Sequence, residues 1–175
     1  MFGMIVKPCF LELSLGYEIG MLTTPSSLEE EHKEIMGSLR NAARFSDGTG
    51  KAVKELMKVL EPHFEKEEKV AMPVLGSLSE LVSGEHVSNL REIADSQGAL
   101  LQEYENMFQE HQILKQFIER AKAEAKRESH EEVSDLLDAL AHHAKVEEQV
   151  LYPSALLAGT LAKCLLPSQT IQAVA

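Results

Sequence analysis

Four stretches of the chain place apolar residues at three- and four-residue intervals, the spacing that gathers one face of an α-helix. The first carries Leu28, Ile35 and Leu39 ahead of the helix-ending Ser46-Asp47-Gly48, and Ser26 or Ser27 behind Pro25 is placed to cap it. The second carries Val53, Leu56, Leu60 and Val70 between about Lys51 and about Ala71. Pro62 lies inside it, removes one backbone hydrogen bond and predicts a kink just before His63. Residues 74–83 read as a short connecting turn of helix. The third helix runs from about His86 to Lys126 through Tyr104, Met107, Phe108, Leu114 and Ile118, and the fourth from about His130 to beyond Tyr152 through Val133, Leu136, Leu137 and Leu140. Four amphipathic helices with short connections predict an all-α, up-down four-helix bundle.

The stripes are not apolar throughout. In the fourth helix the face continues at 143/144, 147 and 150/151, and two of those positions hold His143 and Glu147. The second helix repeats this with His63 and Glu67, while His32 falls between Leu28 and Ile35 and His111 falls between Met107 and Leu114. Each helix therefore sets one histidine on its buried face, and two add a glutamate one turn on. The segments beginning at His63 and His143 both read H-x-x-x-E-E-x-x-x-x-P, and each follows a Glu-His pair, Glu31-His32 or Glu110-His111. The chain is thus two related helical hairpins offset by about 80 residues.

Uncompensated charge inside a bundle costs several kcal/mol, and a metal is the economical compensation. An i, i+4 pair lies on one helical face, so each H-x-x-x-E presents a nitrogen and an oxygen to one centre. Two such pairs with His32 and His111 give four nitrogens and two carboxylates, a set that suits two metals better than one. With each glutamate bridging, about four of twelve octahedral positions stay free for a solvent-derived bridge and exogenous ligands. Imidazole and carboxylate without thiolate point to two non-haem iron ions, with manganese as the alternative. Glu68 and Glu148 follow the ligand positions by about 100° of helical rotation and are expected to face solvent. His142 reads as exposed or as backing a ligand, His86 and His130 as surface residues, and Tyr104 as core.

Composition narrows the function. The chain has 175 residues, 28 acidic and 17 basic, with a formal net charge of −11. So acidic a surface argues against nucleic acid and anionic membranes as partners. At this length one core buries roughly 70% of the unfolded surface, so no structural metal is needed for stability alone. Sparse Gly and Pro agree with a helical domain. Cys9 and Cys164 form no C-x-x-C pair, which argues against thiolate zinc and haem attachment. Pro8 and Glu12 interrupt the apolar run of residues 1–20, which reads as a loosely ordered extension, or as an upstream start with Met21 the functional beginning of the domain, rather than as a signal peptide. The expected division is an extension at 1–20, a bundle at 21–160 and a tail at 161–175, in a cytoplasmic protein. The pattern does not decide its oligomeric state. Two divalent ions would move the formal charge to about −7 and should raise the melting temperature.

With these residues assembled, the chain resembles the hemerythrin-like family, the HHE cation-binding domain, over roughly residues 22–160. The resemblance rests on His32, the His63/Glu67 pair, His111 and the His143/Glu147 pair with Pro153 behind it. It implies a bundle holding a non-haem di-iron centre with a solvent bridge, Glu67 and Glu147 bridging and the four histidines as terminal ligands. Oxygen-carrying members have two histidines four residues apart on the third helix and close with H-x-x-x-x-D. Here the neighbours of His111 at that spacing are Met107 and Lys115, and the closing pair is His143 and Glu147. That shifts the expectation from oxygen carriage toward members with four histidines and two glutamates, some of which resemble proteins that repair iron centres after nitric oxide or oxidative damage. The expected role is a metal-binding protein that binds or senses a diatomic or peroxide ligand. The competing readings are a ferroxidase or a nitric oxide or peroxide reductase, iron storage, and a metal-free interaction module.

Overall fold

The computed structural model describes residues 22, 24–83, 87 and 89–167, which are helices and turns with no strand among them. The segment 1–20, His86 and the chain beyond 167 lie outside the described residues. The elements are α1 (Ser26–Ala42), α2 (Gly48–Val70), α3 (Met72–Gly76), α4 (Leu78–Ser83), α5 (Leu90–Arg127), α6 (Glu131–Val146) and α7 (Tyr152–Leu165), with a wide π turn over Glu147–Leu151 joining the last two. The bundle is all-α. α1 and α5 each pack against both α2 and α6, which closes a ring of four helices. α7 continues the line of α6 along α5 and covers α3 and α4.

The apolar stripes close into two separate clusters. One joins Leu39, Val53, Leu56, Leu60, Leu114, Ile118, Leu137 and Leu140 from the four long helices. The other joins Val74, Leu81, Ile93, Leu100, Met107, Tyr152, Ala155 and Ala158 around α7. Leu39, Leu56 and Leu137 are wholly inaccessible to solvent, and each such side chain contributes about 1.5–3 kcal/mol of transfer free energy. Between the two clusters, on every bundle helix, lie the polar residues of the stripes: His32 follows the α1 sequence toward Met36, Glu67 lies between Phe64 and Ala71, and His111 lies between Met107 and Leu114.

The helix ends differ from expectation at α1. Ser26 is already helical, no side chain caps the turn, and the carbonyl of Pro25 accepts from the N–H of Leu28 and Glu29 instead. The far end of the bundle is tied by side chains from both hairpins. Asp47 caps α2 by accepting from the Gly50 N–H, and Glu128 accepts from the N–H groups of Gly48 and Thr49 and from the Thr49 hydroxyl. α5 stops in a left-handed residue, Ser129, with the His130 N–H returned to the Ala125 carbonyl. His130 is therefore not a free surface residue: its Nε2–H donates to Asp47 Oδ2 at 2.7 Å and its ring stacks on Phe45.

Gly50 lies where the α1–α2 turn passes closest to the helix. A Cβ there would collide with the carbonyl oxygen of Phe45. Gly50→Ala is expected to destabilise the fold by about 1–3 kcal/mol, the range for overpacking a site that cannot relax, as read by urea denaturation.

Candidate metal centre

His32 on α1, His63 and Glu67 on α2, His111 on α5, and His143 and Glu147 at the α6–π junction meet in the polar layer between the two apolar clusters. All six are buried, none more than 7% exposed. The fold brings together every residue that the stripes single out. His63, Glu67, His111 and Glu147 bring donor atoms within 4.8 Å of one another, and His32, His143 and Glu147 form a second such group that shares Glu147. Two groups of side chains that could each hold a metal ion thus share the Glu147 carboxylate.

Each imidazole is held from behind. The Nδ1–H of His32 donates to Glu68 at 3.2 Å, that of His63 to Glu110 at 2.9 Å, that of His111 to Glu148 at 3.1 Å and that of His143 to Glu31 at 3.1 Å. A carboxylate only accepts, so every Nδ1 carries the hydrogen and every neutral ring turns an Nε2 lone pair inward. The pairing follows the internal repeat: each glutamate that precedes His32 or His111 supports a histidine of the other hairpin. Glu68 and Glu148 therefore do not simply face solvent. About 100° of rotation past a ligand position carries each one beside the neighbouring helix, where it meets His32 or His111. His142 is exposed, and Tyr104 is half-buried with its ring edge-on to Tyr152.

The inward atoms lack partners. His32 Nε2, Glu67 Oε2, His143 Nε2 and both Glu147 oxygens are buried without a hydrogen bond. The Nε2 atoms of His63 and His111 stand 2.8 Å apart, both on rings whose hydrogens point outward. Two lone pairs at that distance repel unless a proton or a metal ion lies between them. This donor chemistry, imidazole nitrogen with carboxylate oxygen and no thiolate, fits a metal of the iron or manganese kind.

Tyr152 joins the donor layer, and periodicity alone does not find it. An unbroken α-helix would put it about 140° from Glu147 and would put 150/151 on the inner face. The π turn adds one residue, with the Tyr152 N–H donating to the Glu147 carbonyl. Val150 is consequently 52% exposed, while Tyr152 is buried. Its hydroxyl donates to Glu67 Oε1 and lies 3.2 Å from His111 Nε2. Burial and the charges of Glu67 and Glu147 hold the phenol far above its ordinary range, so it stays protonated. A π turn at a ligand position is a recurrent mark of function.

Electrostatics follow from the crowding. Burial alone would push His143 down, but the Glu147 carboxylate 2.7 Å from its Nε2, with the charges of Glu31 and Glu67, raises it to about 9. His63 is raised as well, because Glu67 and Glu110 outweigh its burial. Burial works against ionised Glu147, yet the imidazole nitrogens of His111, His143 and His32, at 3.4, 2.7 and 3.5 Å from its oxygens, hold it well below the usual carboxylate range. Protons thus take the place of cations in the metal-free chain. Both histidines titrate higher folded than unfolded, so their contribution to stability is complete below the ordinary histidine value of 6.5; the share of His143 is lost as pH rises through about 9, and that of His63 as pH rises past its own raised value. Urea midpoints of the metal-free protein should fall between about pH 6.5 and pH 9; a midpoint that rises over that interval would contradict this charge arrangement.

Comparison with known proteins agrees with the geometry. No curated protein and no solved structure matches the chain significantly. The profile described as the hemerythrin HHE cation binding domain matches residues 23–153, a span that includes all six side chains of the polar layer. The chain belongs to the hemerythrin HHE cation-binding domain family.

Proposed function

We propose that this chain is a non-haem di-iron protein that binds or senses a small ligand such as O2, NO or peroxide, in the response to oxidative or nitrosative stress. The observation that carries this reading is the set of orphaned, inward-facing donors of His32, Glu67, His143 and Glu147 beside the confronted Nε2 atoms of His63 and His111. Six donors buried in one layer need a cation, and the shared carboxylate between two donor groups calls for two. Bound iron would supply open coordination positions and one-electron chemistry at the centre.

The chain's own residues do the rest. Glu31, Glu68, Glu110 and Glu148 hold the four Nδ1 hydrogens, which fixes ring orientation and makes each inward nitrogen a stronger donor. Glu67 and Glu147 face each other across the layer, each within reach of histidines from three helices. The apolar clusters on both sides exclude bulk water. The Tyr152 hydroxyl fixes one oxygen of Glu67 and leaves the other turned toward His32, 3.6 Å away.

Anaerobic loading is expected to give two irons per chain, and exposure to O2 or NO a stoichiometric optical change rather than multiple turnovers. Glu147→Ala should lower iron at both positions, because both donor groups use that carboxylate; loss confined to one would contradict bridging. Purified protein with neither iron nor manganese, and with unchanged melting when His63 and His143 become alanine, would overturn the proposal in favour of a metal-free module.

A further inference from the structure

The last helix turns small side chains toward the bundle and large ones away from it. Ala155, Ala158, Gly159 and Ala162 are buried, and a Cβ at Gly159 would collide with the Gln97 side chain, so α7 lies close on α5. Gln97 holds it there, its amide donating to the Leu156 carbonyl and the Thr160 hydroxyl at 2.7 Å. The leucines large enough to fill a core point elsewhere. Leu157 and Leu165 are 64% and 49% exposed, and Leu161 between them is half-buried. Spaced four residues apart, the three form one stripe down the outer side of the helix. A helix that is apolar all round belongs in an interior, and the bundle supplies an interior on one side only.

We infer that α7 is the contact face of a homodimer, in which the leucine stripe is covered by α7 of a second copy of this chain, packed antiparallel. The inference is independent of the metal centre.

Charge selects that occupant. All 28 acidic residues precede position 149, and residues 149–175 contain a single charged side chain, Lys163. Two copies that each carry a formal −11 repel wherever their carboxylates meet. α1, α2, α5 and α6 all carry carboxylates and α7 carries none, so the last helix is where two such surfaces can approach. The same composition argues against other occupants. A cationic partner would be drawn to the acidic helices, and an anionic membrane recognises clusters of basic residues rather than one lysine.

The surface around the stripe is apolar as well. Val150 is exposed in the π turn just ahead of α7. Leu101 and Phe108 are exposed on α5, each one turn after a residue that touches α7, Gln97 and Tyr104. Among the described residues, α1, α2 and α6 expose no large apolar side chain to this extent, and a patch gathered at one place marks an interaction site. Symmetry then gives the register. In an isologous contact with Leu161 on the two-fold axis, Leu157 of each copy lies opposite Leu165 of the other, since both stand four residues from Leu161. One helix face is smaller than the roughly 800 Å² per partner of a standard interface. The dimer is therefore reversible, with a dissociation constant on the order of micromolar.

Sedimentation equilibrium of the full chain, with a thiol reductant present to keep Cys164 from forming disulfides, should show monomer and dimer exchanging with concentration. Leu157→Glu sets a carboxylate from each copy into the contact and should raise the dissociation constant by about tenfold or more. Leu157 is already exposed, so helix content and melting at low protein concentration should match wild type. Ile113→Glu, about 120° round α5 from Leu101, should leave the equilibrium unchanged. Raising salt from about 0.1 M to about 1 M screens the acidic surfaces and should tighten the dimer. If Leu157→Glu does not fold, Leu165→Glu at the helix end decides instead. A wild-type chain that stays monomeric up to about 200 µM would overturn the inference, and one that dimerises only once residues 1–20 are removed would overturn it in favour of the chain's own apolar segment. A dissociation constant that both glutamate variants leave within about twofold of wild type, or that rises with salt, would overturn it too.

Discussion

Lone pairs of four imidazoles and two carboxylates point into one buried layer, and relieving their repulsion is the constraint around which the rest of the structure is arranged. A hydrophobic residue at any of these six places would have joined the two apolar clusters into one continuous core. Instead the layer divides them, at a cost in desolvation that no hydrogen bond offsets at His32 Nε2, Glu67 Oε2, His143 Nε2 or the Glu147 oxygens. Protons on His63 and His143 offset part of it in the metal-free chain, as the raised titration of both shows. A shared cation offsets it more completely, because one ion satisfies several donors at once.

The surrounding fold holds those donors still. Four outer glutamates fix the rings, and the two that pair across hairpins, Glu110 with His63 and Glu31 with His143, tie the two halves of the repeat into one unit. At the far end Glu128 and His130 bind the turn of one hairpin to that of the other. On the near side the π turn re-phases the last helix so that Glu147 and Tyr152 face inward together. Removing that extra residue would leave Glu147 in place and turn the phenol away.

Much of this was legible in the sequence, for a physical reason. Helical periodicity is strong in chains with few glycines and prolines, and a histidine or glutamate on an apolar stripe is conspicuous because it is expensive there. His32, His63, Glu67, His111, His143 and Glu147 are all visible in that way. What periodicity misses depends on departures from the 3.6-residue turn or on contacts between helices. Tyr152 is hidden by the π turn. Glu68 and Glu148 are hidden because counting along one helix assigns them to solvent, whereas the neighbouring helix brings a histidine to each. The ties of His130 and Glu128 to the α1–α2 turn are equally long-range, and the absent side-chain cap at Ser26 reflects a Pro25 carbonyl that does the work instead.

The central claim is that the buried donor layer is completed by metal, and thermal unfolding with and without ferrous iron under anaerobic conditions tests it most directly. At a hundredfold excess of iron over its dissociation constant, the account predicts a stabilisation of about 3 kcal/mol or more, with a correspondingly higher melting temperature. That gain should disappear when Glu67 and Glu147 are both replaced by alanine. Identical melting of the wild-type chain with and without iron would contradict it.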